Sequence, residues 1–411
     1  MPRHFAPLPI RHACAATCLL LAQAFACAAP SPAVAQPNSD ETCKPWPRWE
    51  AFKAQFVSPE GRVIDVGSAD TRTVSEGQSY GLFFALVAND KPEFEKILDW
   101  TQANLAADDL VGHLPSWLWG QKKDGEWGVL DENSSSDADL WIAYSLLQAG
   151  REWHERSYTA LGALLAKRIL QQETATLPGL GPSILPAPTG FQLGPHAWRL
   201  NASYVPLQLL QGLATALPDQ PQWKTFPAPA LRLITESAAQ GFAPDWVEYH
   251  ATDGTAKNSA TAQAAGFGRD AVTASTGSYN AIRVYLWAGM LASNDPARAR
   301  LLKTFQPMVD YVGTHGFPPE KIDTATGNSG PNAGPYGFSA AVLPLLDALD
   351  QSALSSNQLA RINDLEPHAP PAYFSQVLTL FGTGWHEARY RFATDGSLQP
   401  AWGTACSYNL H

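Results

Sequence analysis

Two short acidic stretches carry residue types that could do chemistry. Ser75-Glu76-Gly77-Gln78 and Asp137-Ala138-Asp139 each stand at the head of an apolar run with helical spacing. One carboxyl can protonate a leaving oxygen while a second activates water or attacks carbon, the two tasks that glycosidic hydrolysis requires. The first stretch also reads as a capping box, with Ser75 as N-cap and Gln78 three residues on. The helix dipole there lowers the pKa of Glu76, whereas a general acid needs it raised. Desolvation or a neighbouring carboxylate must therefore outweigh the dipole. Asp137 and Asp139, two apart on a helix, point in different directions, so at most one faces a shared site. Trp117, Trp119, Trp127 and Trp141 lie around the second stretch. Flat indole faces suit sugar rings, and buried Trp equally builds cores. The sequence holds no P-loop and no Cys/His cluster with metal-ligand spacing, so no cofactor or metal is expected.

The elements that must position these residues are helical. Tyr80, Phe83, Phe84 and Val87 fall at i, i+3, i+4 and i+7, as do Leu140, Ala143, Tyr144 and Leu147. Helical stretches come in pairs: 75–88 with 92–105, 136–149 with 152–171, 203–217 with 222–239, 278–292 with 296–311, and 338–349 with 358–365. The unpaired stretches 45–56 and 373–381 complete six helical hairpins if the two ends of the chain meet. No fixed short repeat supports an open solenoid, so an all-α closed ring is expected. Long Gly-, Pro- and Trp-rich linkers at 111–133, 177–198 and 249–277 suit loops that build a cleft.

The 411 residues carry 28 Lys plus Arg against 38 Asp plus Glu, a formal charge of −10, which repels phosphate backbones and disfavours nucleic acid. Residues 1–35 read as a secretory signal: Arg3 and Arg11, a small apolar stretch, then Ala33-Val34-Ala35 for cleavage. Residues 36–411 form the expected mature domain, with no later segment apolar enough to span a bilayer. Cys14, Cys18 and Cys27 leave with the signal. Cys43 and Cys406 remain, and an oxidising compartment invites a disulfide between them.

Ser136-Asp137-Ala138-Asp139-Leu140-Trp141-Ile142-Ala143-Tyr144-Ser145-Leu146-Leu147-Gln148-Ala149, closed by Trp153, resembles the signature of glycoside hydrolase family 8. Further similar stretches are Glu60-Gly61-Arg62-Val63-Ile64-Asp65, Ser75–Gly81, Pro115–Gly120, Ala281–Tyr285 and Gly337–Ala341. The resemblance implies an (α/α)6 barrel and an inverting endo-β-1,4-glucanase acting in the periplasm beside bacterial cellulose synthesis and export. Its partners would be a β-1,4-glucan chain and that machinery, the protein itself a monomer. By position, Glu76 matches the proton donor, Asp137 the acid that holds the distorted sugar, Tyr204 a tyrosine of the same subsite, and Arg283 a support for the carboxylates. Trp117, Trp119 and Trp141 are the expected sugar platforms. One position departs: Asn280 stands where such members carry the Asp general base, and an amide has no useful basicity. Among acids of the preceding loop, Asp270 is favoured over Asp253 as a replacement. Two alternatives follow: a glucan-binding homologue disabled at Asn280, and a chitosanase whose base comes from the loop. A helical scaffold for partner proteins would lack an aromatic cleft altogether.

Overall fold

Helices that are apolar on every face must lie inside others, and this chain alternates such helices with amphipathic ones. The structure is a computed structural model that describes residues 45–251 and 265–404. The expected signal at 1–35, both Cys43 and Cys406, and Asp253 lie outside the described residues.

The amphipathic helices are α1 (Pro47–Phe56), α3 (Lys91–Leu105), α5 (Arg156–Gln172), α7 (Pro227–Glu236), α9 (Arg298–Thr304) with α10 (Gln306–His315), and α12 (Ser352–Leu365). In α5 only Tyr158, Gly162, Leu165, Ala166 and Ile169 are buried, one stripe at helical spacing. Between them run α2 (Ser75–Val87), α4 (Ser136–Glu152), α6 (Leu207–Ala216), α8 (Ile282–Gly289), α11 (Tyr336–Ala348) and α13 (Tyr373–His386). Ser136–Gly150 of α4 are all buried. Each inner helix packs on its outer partner, α13 closing onto α1, and the inner ones pack on one another. The result is the six-hairpin (α/α)6 barrel. Its axis is filled by aromatic side chains: Phe83 lies 4.8 Å from Trp141 and 5.4 Å from Phe381, and Trp287 5.0 Å from Phe381.

Close approach of the inner helices needs residues without side chains. A Cβ on Gly289 would overlap the backbone of Pro344 and Leu345, and one on Gly382 the carbonyl of Ala340.

Three details differ from the sequence expectation. The stretch 296–311 is two helices broken at Phe305, because Pro307 sits in the first turn of α10 and cannot continue a helix from before it. The long linkers carry small sheets: β1 (Thr73–Val74), β2 (Ser116–Gln121) and β3 (Trp127–Ser134) form one, β4 (Thr174–Leu177) and β5 (Gly181–Ile184) a second, and β6 (Gln192–Gly194), β7 (Ala197–Leu200), β8 (Val247–His250) and β9 (Gly266–Arg269) a third. The capping box at Ser75 does not form. Helix α2 already begins at Ser75, and Gln78 turns inward to accept from Val63 N at 2.6 Å and donate to Thr101 Oγ1 at 3.0 Å.

Candidate active site

In a ring of hairpins every inner helix runs the same way, so all six inner N-termini open at one rim. Residues at the heads of α2, α4, α8 and α13, remote in sequence, therefore become neighbours there. Glu76 is the second residue of α2, Asp137 the second of α4, and Arg283 the second of α8.

Arg283 gathers the others. Its guanidinium, almost wholly buried, donates through Nη1 to Asp137 Oδ2 at 2.7 Å and to Tyr80 Oη at 2.9 Å. Nη2 donates to Asn280 Oδ1 at 2.7 Å, and the cation lies 5.6 Å from the Tyr204 ring. The other oxygen of Asp137 accepts from Ser135 Oγ at 2.7 Å and from the N–H of Ala138 at 2.9 Å. A carboxylate held by a buried guanidinium and a helix N-terminus is fixed in place, and removing either partner would leave a buried charge unpaired.

Glu76 has the opposite environment. Its Oε2 is sealed from solvent and receives no donor among the described residues. Burial and the nearby Asp137 push the carboxyl up to about 8, against the pull of Arg283 and the helix N-terminus. Desolvation thus outweighs the dipole. Of the two acids on this rim, Asp137 is held by a guanidinium and Glu76 keeps its proton.

Asn280 and Arg283 are held by Asp245, which the sequence reading passed over. One oxygen of this buried aspartate accepts the N–H groups of Ser278, Asn280 and Ala281 at 2.9, 2.9 and 2.8 Å. It caps α8 from 36 residues away, a distance no local capping pattern reveals. Tyr373, at the head of α13, brings a further buried phenol near Glu76 whose hydroxyl has no partner among the described residues.

Asp270 is otherwise engaged. Arg199 grips it with Nε at 2.7 Å and Nη2 at 3.2 Å, and the N–H and hydroxyl of Thr273 reach it at 2.6 and 2.8 Å. These donors hold its carboxyl below the usual range although burial opposes them. It braces the turn after β9, and such a carboxylate is a weak acceptor of protons. Arg199 in turn covers Trp246, 4.2 Å from the ring, with Phe191 stacked at 5.5 Å and Tyr204 at 5.7 Å.

The tryptophans separate. Trp141 is corrected from sugar platform to core: it is 1% exposed, wedged among Tyr80, Phe83, Trp287 and Phe381. Its place on the inward face of α4 leaves no ring face for a sugar. Trp117 and Trp119 remain partly exposed on β2. Trp119 stacks on the exposed Trp127 at 5.2 Å, with Arg62 4.4 Å from Trp119, and β2 pairs directly with the strand that leads into Glu76.

The family model described as glycosyl hydrolases family 8 matches residues 23–388. The chain belongs to glycosyl hydrolase family 8. An endoglucanase of Escherichia coli O157:H7 is 47% identical over 366 residues, spanning 89% of this chain and 94% of its own. One of Xanthomonas axonopodis is 47% identical over 381 residues, covering 92% of this chain and 94% of its own. Among solved structures, the endo-1,4-D-glucanase of Vibrio fischeri superposes with a TM-score of 0.79 at 45% identity, covering 87% of this chain and 99% of that one. The endo-β-1,4-glucanase CMCax of Acetobacter xylinum gives 0.63 at 25% identity, covering 82% and 96%.

Proposed function

We propose that this family 8 protein cleaves internal bonds of a β-1,4-linked glucan with inversion, Glu76 giving the proton. The Glu76 carboxyl carries the reading: shielded, without a donor on Oε2 and pushed up to about 8, it keeps its proton through neutral pH. In the step proposed, the bond from anomeric carbon to leaving oxygen breaks as that oxygen takes the Glu76 proton. Water attacks the carbon from the opposite face and yields its own proton to the surrounding water. Asp137, fixed by Arg283, holds the sugar at the cleavage point, with Tyr204 beside it. The relatives named endoglucanase support a glucan as substrate. An exported protein working beside cellulose synthesis is the setting we infer, from the leader-like residues 1–35 and the likeness to the Acetobacter enzyme.

Inversion needs a second carboxylate roughly 6.5–9.5 Å from the acid. At the expected position Asn280 offers an amide whose oxygen is already taken by Arg283, so its free end is the NH2. Such a group orders a water by donating to it and removes no proton. This observation favours a second reading, a glucan-binding homologue of low turnover.

Reducing-end release from carboxymethylcellulose decides between them. Asn280→Asp is expected to raise turnover by about 10²-fold or more, the worth of a positioned base, and Glu76→Gln to abolish it in both backgrounds. A collapse of wild-type turnover in Asp270→Asn would restore the loop acid as base. If wild type already turns over at the rate of Asn280→Asp, the binding-protein reading is lost. Should chitosan be cleaved faster than carboxymethylcellulose, the substrate class is wrong.

A further inference from the structure

Beneath Asp137 lies a second pair of acids that the chemistry above does not use. Asp139, one turn into α4, and Glu173, at the end of α5, are both wholly buried. Of their four carboxyl oxygens, Glu173 Oε1 accepts from Ser134 Oγ at 2.6 Å. Both oxygens of Asp139 and Oε2 of Glu173 are sealed from solvent and reached by no N–H or hydroxyl among the described residues. Asp139 and Glu173 instead come within hydrogen-bonding reach of each other, two groups of acceptors with no donor between them.

Carboxylates only accept, so a hydrogen bond between two carboxyls requires a proton on one of them. The surrounding charges agree. Both acids feel Asp137 of α4, and Asp139 also feels Glu76 of α2, while the cation Arg283 of α8 is already spent on Asp137. Burial and this company raise both groups, Glu173 to about 8. The pair also joins three segments. Ser134 ends β3, Asp139 sits in the first turn of α4, and the Glu173 carbonyl accepts from Leu185 N at 2.7 Å, beyond β5 (Gly181–Ile184).

We propose that the Asp139–Glu173 pair is a proton-holding brace that positions Asp137 for the sugar. The shared proton ties the head of α4 to the end of α5. Losing it sets two buried like charges against each other within a turn of Asp137 and loosens that turn. Both acids are positioning residues, acting on substrate through Asp137, and their role rests on the glucan reading of the rim.

The test uses the intact protein and two readouts. The first is the infrared C=O band of protonated carboxyls near neutral pH, in the Glu76→Gln background so that Glu76 does not contribute. The band is expected there and is expected to vanish when Glu173→Gln is added, since the amide can then donate to an ionised Asp139. Absence of the band before that addition overturns the proposal. The second is the pH at which affinity for a soluble cello-oligosaccharide is half lost. It is expected to lie near the alkaline side of neutrality in wild type and at least about one pH unit higher in Glu173→Gln, because the titrating brace is gone. Glu173→Ala, which leaves Asp139 unpartnered, is expected to bind weakly at every pH. A Glu173→Gln profile that superimposes on wild type overturns the positioning role. No binding by any variant at any pH removes the glucan reading and the positioning role together, whereas the infrared band still answers for the shared proton.

Discussion

A carboxyl kept protonated by its surroundings must leave a trace in stability as well as in catalysis. Glu76 has its folded pKa raised from 4.5 to about 8, so the folded state binds its proton more tightly than the unfolded chain does. The sign follows: the stability tied to that proton is fully present below the unfolded pKa and is lost as pH rises through the folded one. Each pH unit in that window costs about 1.4 kcal/mol per group. By pH 7, 2.5 units above the unfolded value of 4.5, the loss from Glu76 amounts to about 3 kcal/mol. Glu76→Gln keeps the shape and removes the titration. Its stability relative to wild type should therefore climb by about 3 kcal/mol between about pH 4.5 and pH 7, whatever constant offset the amide brings. Urea unfolding of both proteins at matched ionic strength measures this, and Asp139 and Glu173 cancel because both proteins carry them. Parallel stability curves across the window would refute the argument, since a Glu76 that titrates normally is solvated and cannot remain a proton donor at neutral pH.

Two further outcomes follow from the same geometry. Asp245→Ala strips three N–H groups at the head of α8 of their acceptor, so a destabilisation of about 2–4 kcal/mol is expected. Because Asn280 and Arg283 ride on that turn, glucan affinity should fall with it, which calorimetry of folding and of binding can read separately. Gly382→Ala places a methyl in the backbone of α11, and a loss of about 1–3 kcal/mol in urea unfolding is expected, with the pH dependence of binding unchanged.

The chain's own order of residues determined the barrel. Runs of apolar residues on every face, paired with striped partners, have few ways to hide from water other than two concentric layers of helices. The same reading placed acids at the heads of α2 and α4 and noticed that Asn280 stands where a base was expected. It could not tell which tryptophans face solvent: Trp117, Trp119 and Trp141 share a residue type and a neighbourhood in sequence, yet a strand holds two at the surface and an inner helix buries the third. Nor could it see the cap from Asp245, the grip of Arg199 on Asp270, or the meeting of Asp139 with Glu173. Each of these joins residues more than 30 positions apart, and no local pattern encodes them. Electrostatics belonged to the tertiary structure most of all. By sequence, Glu76 at a helix N-terminus should have been more acidic than usual. Closing the ring took water from one of its oxygens and set Asp137 beside it, and desolvation in a low-dielectric interior outweighs a helix dipole.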